Sequence, residues 1–271
     1  MRAITPVLAA TFLSLASPSG ADEFERLMDA LRMDEVVDIL VEEGTSSALE
    51  IEASMFPDRG GAAWADEVAR IYDADLRSAQ IKGVMEDIMS ADALPPVLAF
   101  LESERGARIM TLEVTARRAF IDPDMEEVAL EIFADAETEH AELFANVMEF
   151  IEVNDLIDQN VEGAFTANFA FAQGATNAGA FAGLSAAQLA AQMWAGEEAV
   201  AADVEQWMFA YLMTAYSPLE SSDLEAYIAL SRTEAGQTLN QAIMDSFGAL
   251  FEDISYDVGA AAGRFMAQQD I

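Results

Sequence analysis

The stretch LAFLESERGARIM at 98–110 is echoed by YIALSRTEAGQTL at 227–239. In both, an apolar helical pattern ends and is followed by Ser or Thr, then Glu, any residue and Gly. Ser103 and Thr233 are residue types that cap a helix by accepting a hydrogen bond from an amide of its first turn. The two stretches therefore predict a joint between two helices, used twice in one chain.

The carboxylates and glycines of the two stretches fit the same joint. Glu104 and Glu234 fall at the first helical position, where the helix dipole favours a negative charge. Gly106 and Gly236 fall at the third position, where glycine weakens a helix unless something else requires it. We interpret the glycines as points where the preceding helix approaches closely across the corner. An anion site at this helix end is disfavoured because a glutamate already occupies the first turn.

Apolar residues recur with helical spacing along most of the chain. The stripe that begins with Phe24, Leu27 and Leu31 is one example. The helix that follows this stripe is expected to end at Gly44. One long helix is expected over 64–88. No sustained alternation of period two is present, and no glycine-rich phosphate loop opens a helix. The fold is therefore predicted to be an all-α helical bundle of about ten helices.

The echo extends beyond the two corners. A shift of 130 residues relates the corners, and a shift of 120 relates the block 33–44 to 153–164. Periods of this length indicate duplication of a whole helical module rather than a solenoid. We therefore predict two tandem, diverged modules, at 22–150 and 151–271.

The first 21 residues have the order of a secretory signal peptide. Arg2 supplies a positive region, residues 3–16 are apolar and uncharged, and Ser19-Gly20-Ala21 provides small residues before a cleavage point. We therefore expect residues 1–21 to be removed after Ala21 and the mature chain to be periplasmic. The chain has no cysteine, so an exported form would contain no disulfide.

The chain is strongly acidic, with 49 Asp and Glu against 13 Lys and Arg and a formal net charge of −36. Such a charge repels phosphate backbones, so nucleic acid is excluded as a partner. A protein partner of unknown identity or a small cationic ligand is compatible with it, although the acids are spread along the chain as on a solvated surface. Arg117 and Arg118 are candidates to contact the anionic second half. The oligomeric state is not determined by the sequence.

The single histidine offers only a weak metal candidate. Glu137 and His140 have the E-x-x-H spacing of di-iron helical bundles, which need two such pairs and two further glutamates. We therefore favour a histidine at the edge of the core. The acidic run at 122–127 lacks the spacing of an EF-hand loop and is interpreted as a helix start. With no cysteine and no G-x-S-x-G motif, we predict no catalytic residue and no cofactor.

The stretch 163–196 is rich in Ala and Gly and carries no charge. Small residues allow helices to approach closely, so we interpret it as two core helices joined near 174–179. The alternative is a segment that contacts a membrane or a partner helix. Polar side chains interrupt every window of about 20 residues, and no transmembrane helix is predicted after the signal peptide.

The segment SPLESSDLEAYIALSRTEAGQTLNQAI at 217–243 resembles the bacterial family catalogued as domain of unknown function 2059. That family has a Ser/Thr-acid-Leu helix start, an apolar or aromatic stripe and a Ser/Thr-x-x-Gly corner. The matching residues are Ser222, Asp223, Leu224, Tyr227, Thr233 and Gly236. The resemblance is clearest over 200–260, and Glu104 and Glu234 stand where the family commonly has Pro. It implies an exported helical protein and no particular activity.

These observations favour a non-catalytic, exported accessory or binding module. Two alternatives stay open at this point. One is an enzyme that uses carboxylates and a metal ion, and the other is an envelope-associated protein that uses the stretch 163–196.

Overall fold

The computed structural model describes residues 20–180, 188 and 197–267, so most of the predicted signal peptide lies outside the described residues. The described residues form helices and no strand, which confirms the predicted all-α bundle. The helices are α1 (Gly20–Ala30), α2 (Met33–Met55), α3 (Gly61–Ile71), α4 (Ala74–Ile88), α5 (Leu94–Leu101), α6 (Glu104–Ala119), α7 (Asp124–Ile132), α8 (Ala136–Glu139), α9 (Ala141–Val153), α10 (Leu156–Asn177), α11 (Glu197–Tyr216), α12 (Ser221–Ser231) and α13 (Glu234–Ala267).

One continuous apolar core contains residues from both predicted modules. Trp64 of α3 is buried, donates its indole N–H to the Ala48 carbonyl at 2.9 Å, and lies edge-on to Phe56 and Phe265. Since Phe265 lies near the end of α13, this aromatic group joins the first helices of the chain to the last one.

Two helix boundaries differ from the sequence prediction. Gly44 does not end a helix, because α2 continues through it to Met55. A Cβ atom on Gly44 would lie 2.5 Å from Cδ1 of Tyr72, so the glycine makes room for that ring. The helix expected over 64–88 is divided at Asp73, whose carboxylate accepts a hydrogen bond from the Leu76 amide at 2.9 Å and caps α4.

Corresponding helices pack in corresponding ways in the two halves of the chain. Helix α1 packs on α5, and α9, which spans the predicted boundary at residue 150, packs on α12. Between the halves, α6 packs on α11 and α4 packs on α13. Each half thus places its last long helix against the other half, as expected if a duplicated module gave rise to both. The tandem modules stay a prediction.

The structure changes the alignment of the second repeated block, 33–44 with 153–164, which the sequence placed at a shift of 120 residues. Arg32 and Asp155 both adopt left-handed backbone conformations, with φ of 55° and 52°, directly before α2 and α10. These two joints are 123 residues apart, since 155 − 32 = 123. The structure therefore aligns the start of α2 with the start of α10, three residues away from the alignment based on sequence.

The small residues of α10 pack against α13. A Cβ atom on Gly174 would lie 2.9 Å from the Ala260 amide nitrogen, and one on Gly259 would lie 2.8 Å from the Phe171 carbonyl carbon. The described part of the stretch 163–196 therefore uses its small residues inside the protein, against the last helix. Most of the second helix expected in that stretch lies outside the described residues.

Candidate functional site

The two predicted corners have the same hydrogen bonds. The Ser103 hydroxyl accepts from the Gly106 amide at 3.1 Å and donates to the Phe100 carbonyl at 2.6 Å. The Thr233 hydroxyl accepts from the Gly236 amide at 3.0 Å and donates to the Leu230 carbonyl at 2.7 Å. Each hydroxyl thus satisfies one free amide of the following helix and donates to a carbonyl at the end of the preceding helix.

The glycines of the corners are points of close approach between consecutive helices. A Cβ atom on Gly106 would lie 2.7 Å from the Leu101 Cα atom, and one on Gly236 would lie 2.7 Å from the Leu230 carbonyl carbon. Both glycines are buried, whereas Glu104 and Glu234 are exposed at the helix start. The two corners are therefore structural joints that have room for no ligand at the glycine.

The two weak metal candidates lie at the short helix α8 and its end. Glu137 lies in α8, and His140 lies at the break between α8 and α9. Both side chains are exposed, and the imidazole packs edge-on against Phe133 with a centroid distance of 5.7 Å. His140 thus lies on the outside of the core, with its ring against the buried Phe133. In the part of the chain that the structure describes, no three His, Asp or Glu side chains are grouped to hold a metal ion.

A groove of about 480 Å³ lies beside α7. We call it the α7 groove. Its lining residues are Pro123, Glu126, Glu127, Leu130, Glu131 and Ala134 of the α7 region and Gln206 of α11. The three glutamates come from the acidic run that begins α7 and from its next turn, and no basic residue lines the groove. It therefore offers apolar surface together with negative charge.

The position of the α7 groove follows from how α7 packs. Helix α7 begins after Pro123, where the Asp122 carboxylate accepts a hydrogen bond from the Asp124 amide at 3.1 Å. Its buried Ala129 contacts a small apolar cluster with Phe120 and Ala210, separate from the main core. Helix α7 packs on α11 through this cluster, and Glu127 and Glu131 of α7 stay exposed beside it.

A partly buried carboxylate, which the sequence analysis missed, lies between α6 and α11. The Glu113 carboxylate accepts a hydrogen bond from the Tyr216 hydroxyl at 2.6 Å, and its backbone carbonyl accepts one from the Tyr211 hydroxyl at 3.2 Å. Burial raises the pKa of Glu113 to about 7, and the hydrogen bond from Tyr216 lowers that pKa in part. Glu113 shares the inward face of α6 with Ile109 and Ala116. An acid on an apolar helix face is the sequence pattern that could have identified it.

The basic residue nearest in sequence to Glu113 is used elsewhere. Arg117 pairs with Glu43 of α2 at 2.6 Å and lies over the Trp207 ring at 5.0 Å from its centroid. Arg118 lies 3.9 Å from Glu42 of the same helix. Of these two candidates, Arg117 contacts the second half through the indole of α11, and both arginines lie near acids of α2.

A second cavity, of about 120 Å³, lies where α9, α11 and α12 meet. Tyr216, Asn146 and Ser221 are among its lining residues, and the Asn146 amide donates to the Ser221 hydroxyl at 3.0 Å. Glu113 does not line either cavity.

No helix among the described residues is long and apolar enough to cross a membrane.

Comparison with protein-family models, with curated proteins and with solved structures found no match to this chain. The resemblance of 217–243 to domain of unknown function 2059 therefore stays a prediction made from the sequence.

Proposed function

We propose that this chain is an exported, non-catalytic accessory module that binds a lysine- or arginine-bearing segment of a partner protein in the α7 groove. The observation that carries the proposal is the combination, in one groove, of three glutamates with the apolar residues Leu130, Ala134 and Pro123. The signal peptide predicted at 1–21 supports an extracytoplasmic location.

The chemistry of the groove matches long cationic side chains. Lysine and arginine have aliphatic stems that pack on apolar surface and charged heads that stay near water. In the α7 groove a stem would contact Leu130 or Ala134, and the head would meet Glu127 or Glu131, both exposed. The net charge of −36 adds a long-range attraction that raises the association rate of a cationic partner.

Charge alone does not select the groove, because carboxylates cover much of this protein. A basic ligand held only by net charge would bind many surfaces weakly and would lose affinity steeply with salt. A ligand seated in the α7 groove would also bury apolar surface, which salt does not screen. The proposal therefore predicts binding that depends on particular glutamates and persists in part at physiological ionic strength.

The test uses two triple variants of equal charge. Glu126→Gln, Glu127→Gln and Glu131→Gln remove three negative charges from the α7 groove. Glu50→Gln, Glu152→Gln and Glu252→Gln remove three from exposed positions elsewhere. The probe is a labelled helical peptide with one lysine-rich face and one leucine-rich face, titrated by fluorescence anisotropy at physiological salt.

We expect the groove variant to weaken peptide binding at least about tenfold and the control variant to weaken it less than about twofold. Ala134→Tyr, which fills the groove without changing the charge, should weaken binding as the groove variant does. Equal weakening by the two triple variants would show that net charge alone attracts the peptide, and the proposal would be rejected. Thermal unfolding of each variant verifies that the fold is retained.

A further inference from the structure

Helices α6 and α11 meet at a carboxylate held by phenols. The Tyr216 side chain is completely buried and donates its hydroxyl to the Glu113 carboxylate at 2.6 Å. Tyr211, one turn earlier on α11, donates to the Glu113 backbone carbonyl at 3.2 Å. Two tyrosines of α11 therefore bond to one residue of α6, Glu113, which is the acid of this group.

The elements around Glu113 contribute no cation to its carboxylate. Helix α11 contributes Tyr211 and Tyr216, and α12 contributes Tyr227, whose pKa is raised by burial and by the charge of Glu113. Helix α5, which also packs on α6, has no titratable residue. None of the ion pairs found among the described residues includes Glu113.

Helix α2 also packs on α6, and two of its acids lie near arginines of α6. Glu43 pairs with Arg117, and Glu42 lies near Arg118. Burial raises the pKa of Glu43, and its pairing with Arg117 lowers that pKa in part. When Glu113 is ionised, its charge is therefore stabilised by hydroxyl groups and by no cation. A charge withdrawn from water in this way is unfavourable.

We infer that Glu113 is a proton-dependent switch between the two halves of the molecule: its protonated form holds α6 against α11, and its ionisation loosens that contact. In the protonated form the carboxyl group is neutral and still accepts from Tyr216. In the ionised form the same position holds an uncompensated charge, and opening of the interface would return that charge to water. This inference is independent of the proposed peptide binding.

The direction of the pH effect follows from burial. Because burial raises the pKa of Glu113 to about 7, the closed interface binds the proton more tightly than the open one. Closure is favoured at low pH and is progressively lost as pH rises from about 4.5 to about 7. The opening equilibrium should increase by on the order of 70-fold between pH 5 and pH 8.

Hydrogen exchange measured across this pH range tests the inference. After correction for intrinsic exchange, the amides of α6 and α11 should lose protection with a midpoint near pH 7. In Glu113→Gln, which keeps an acceptor for Tyr216 but does not ionise, the loss should disappear. Glu50→Gln, at an exposed position, should retain the full effect. An equal loss of protection in Glu113→Gln would overturn the inference.

A second variant tests the hydrogen bond itself. Tyr216→Phe keeps the buried ring, which lies edge-on to Phe150 at a centroid distance of 5.6 Å, and deletes only the hydroxyl. Since the Tyr216 hydrogen bond lowers the pKa of Glu113, its loss should move the transition of α6 and α11 to higher pH. A midpoint that stays in place or moves to lower pH would contradict the assignment of Glu113 as the switch.

Discussion

Gly106 and Gly236 each lie where a side chain would overlap the backbone of the preceding helix. Gly248, in the middle of α13, has no atom within 4 Å of the place where its Cβ would be. The same substitution should therefore have opposite effects at these positions, because the first two require a backbone shift and the third only gains helix propensity.

We expect Gly106→Ala and Gly236→Ala each to lower the free energy of unfolding by about 3 kcal/mol. Gly248→Ala should raise it by about 0.5–1 kcal/mol, because alanine favours the helix more than glycine does. Urea denaturation measures all three values. Similar stability of Gly106→Ala and Gly248→Ala would show that the first corner does not need a glycine.

Removing the hydroxyl caps should lower the stability less than substituting the corner glycines. Ser103→Ala and Thr233→Ala should each cost about 1 kcal/mol of stability, since each leaves one amide of the following helix without its partner. Ser103→Asp keeps an acceptor at the cap and should preserve most of the stability. If Ser103→Asp were as unstable as Ser103→Ala, the stabilising role of the hydrogen bond to Gly106 would be refuted.

The corners were predictable because each is encoded within a few residues. A hydroxyl, an acid and a glycine at fixed spacing define the cap, the first turn and the close approach in sequence order. Glu113 was not predictable in the same way, because its burial depends on Tyr216, 103 residues away. The inward pattern of α6 shows its orientation but does not identify the helix that covers it.

At the scale of helices, α10 and α13 approach through small residues on both sides. Gly174 on α10 and Gly259 and Gly263 on α13 occupy the contact, and a Cβ atom on Gly263 would lie 2.5 Å from the Ala175 carbonyl oxygen. Close backbone approach of this kind extends the packed surface of two long helices, and a single methyl group at its centre would separate them.

We expect Gly259→Ala to destabilise the protein by about 2–3 kcal/mol. Gly163→Ala, at a position of α10 with no atom within 4 Å of a Cβ, should be neutral or stabilising. Thermal denaturation followed by circular dichroism compares the two variants directly. Equal melting temperatures would indicate that the two helices adjust to a methyl group without loss of packing.

Helix existence was predicted more reliably than helix boundaries. The apolar period identified the helices because it reflects burial of one face. The continuation of α2 through Gly44 depends on Tyr72, a tertiary contact that local sequence does not reveal. The break at Asp73 has a local capping signal, but the apolar pattern continues across it and concealed the boundary.

At the scale of the whole molecule, the net charge of −36 opposes the compact state through self-repulsion. The ion pairs that cross between the halves include Arg105–Asp223 at 2.7 Å and Arg264–Glu67. Their arginines are half exposed, and exposed pairs contribute little to stability. Repulsion among the excess carboxylates therefore outweighs the attraction of these pairs.

We expect the melting temperature to rise when sodium chloride is increased from about 0.02 to about 0.5 M, since screening weakens the repulsion over distances of about 10 Å. Differential scanning calorimetry at constant pH measures the change, with sodium sulfate as a comparison salt. A melting temperature that falls with salt would show that attractive ion pairs dominate the electrostatic energy.

The central claim is that a cationic partner binds in the α7 groove rather than to the acidic surface in general. The most direct measurement is the hydrogen-exchange footprint of the lysine-rich helical peptide on the unmodified protein at physiological salt. We predict protection confined to 123–134 and to the part of α11 around Gln206. Protection spread over many acidic surfaces, or centred on other helices, would contradict the account.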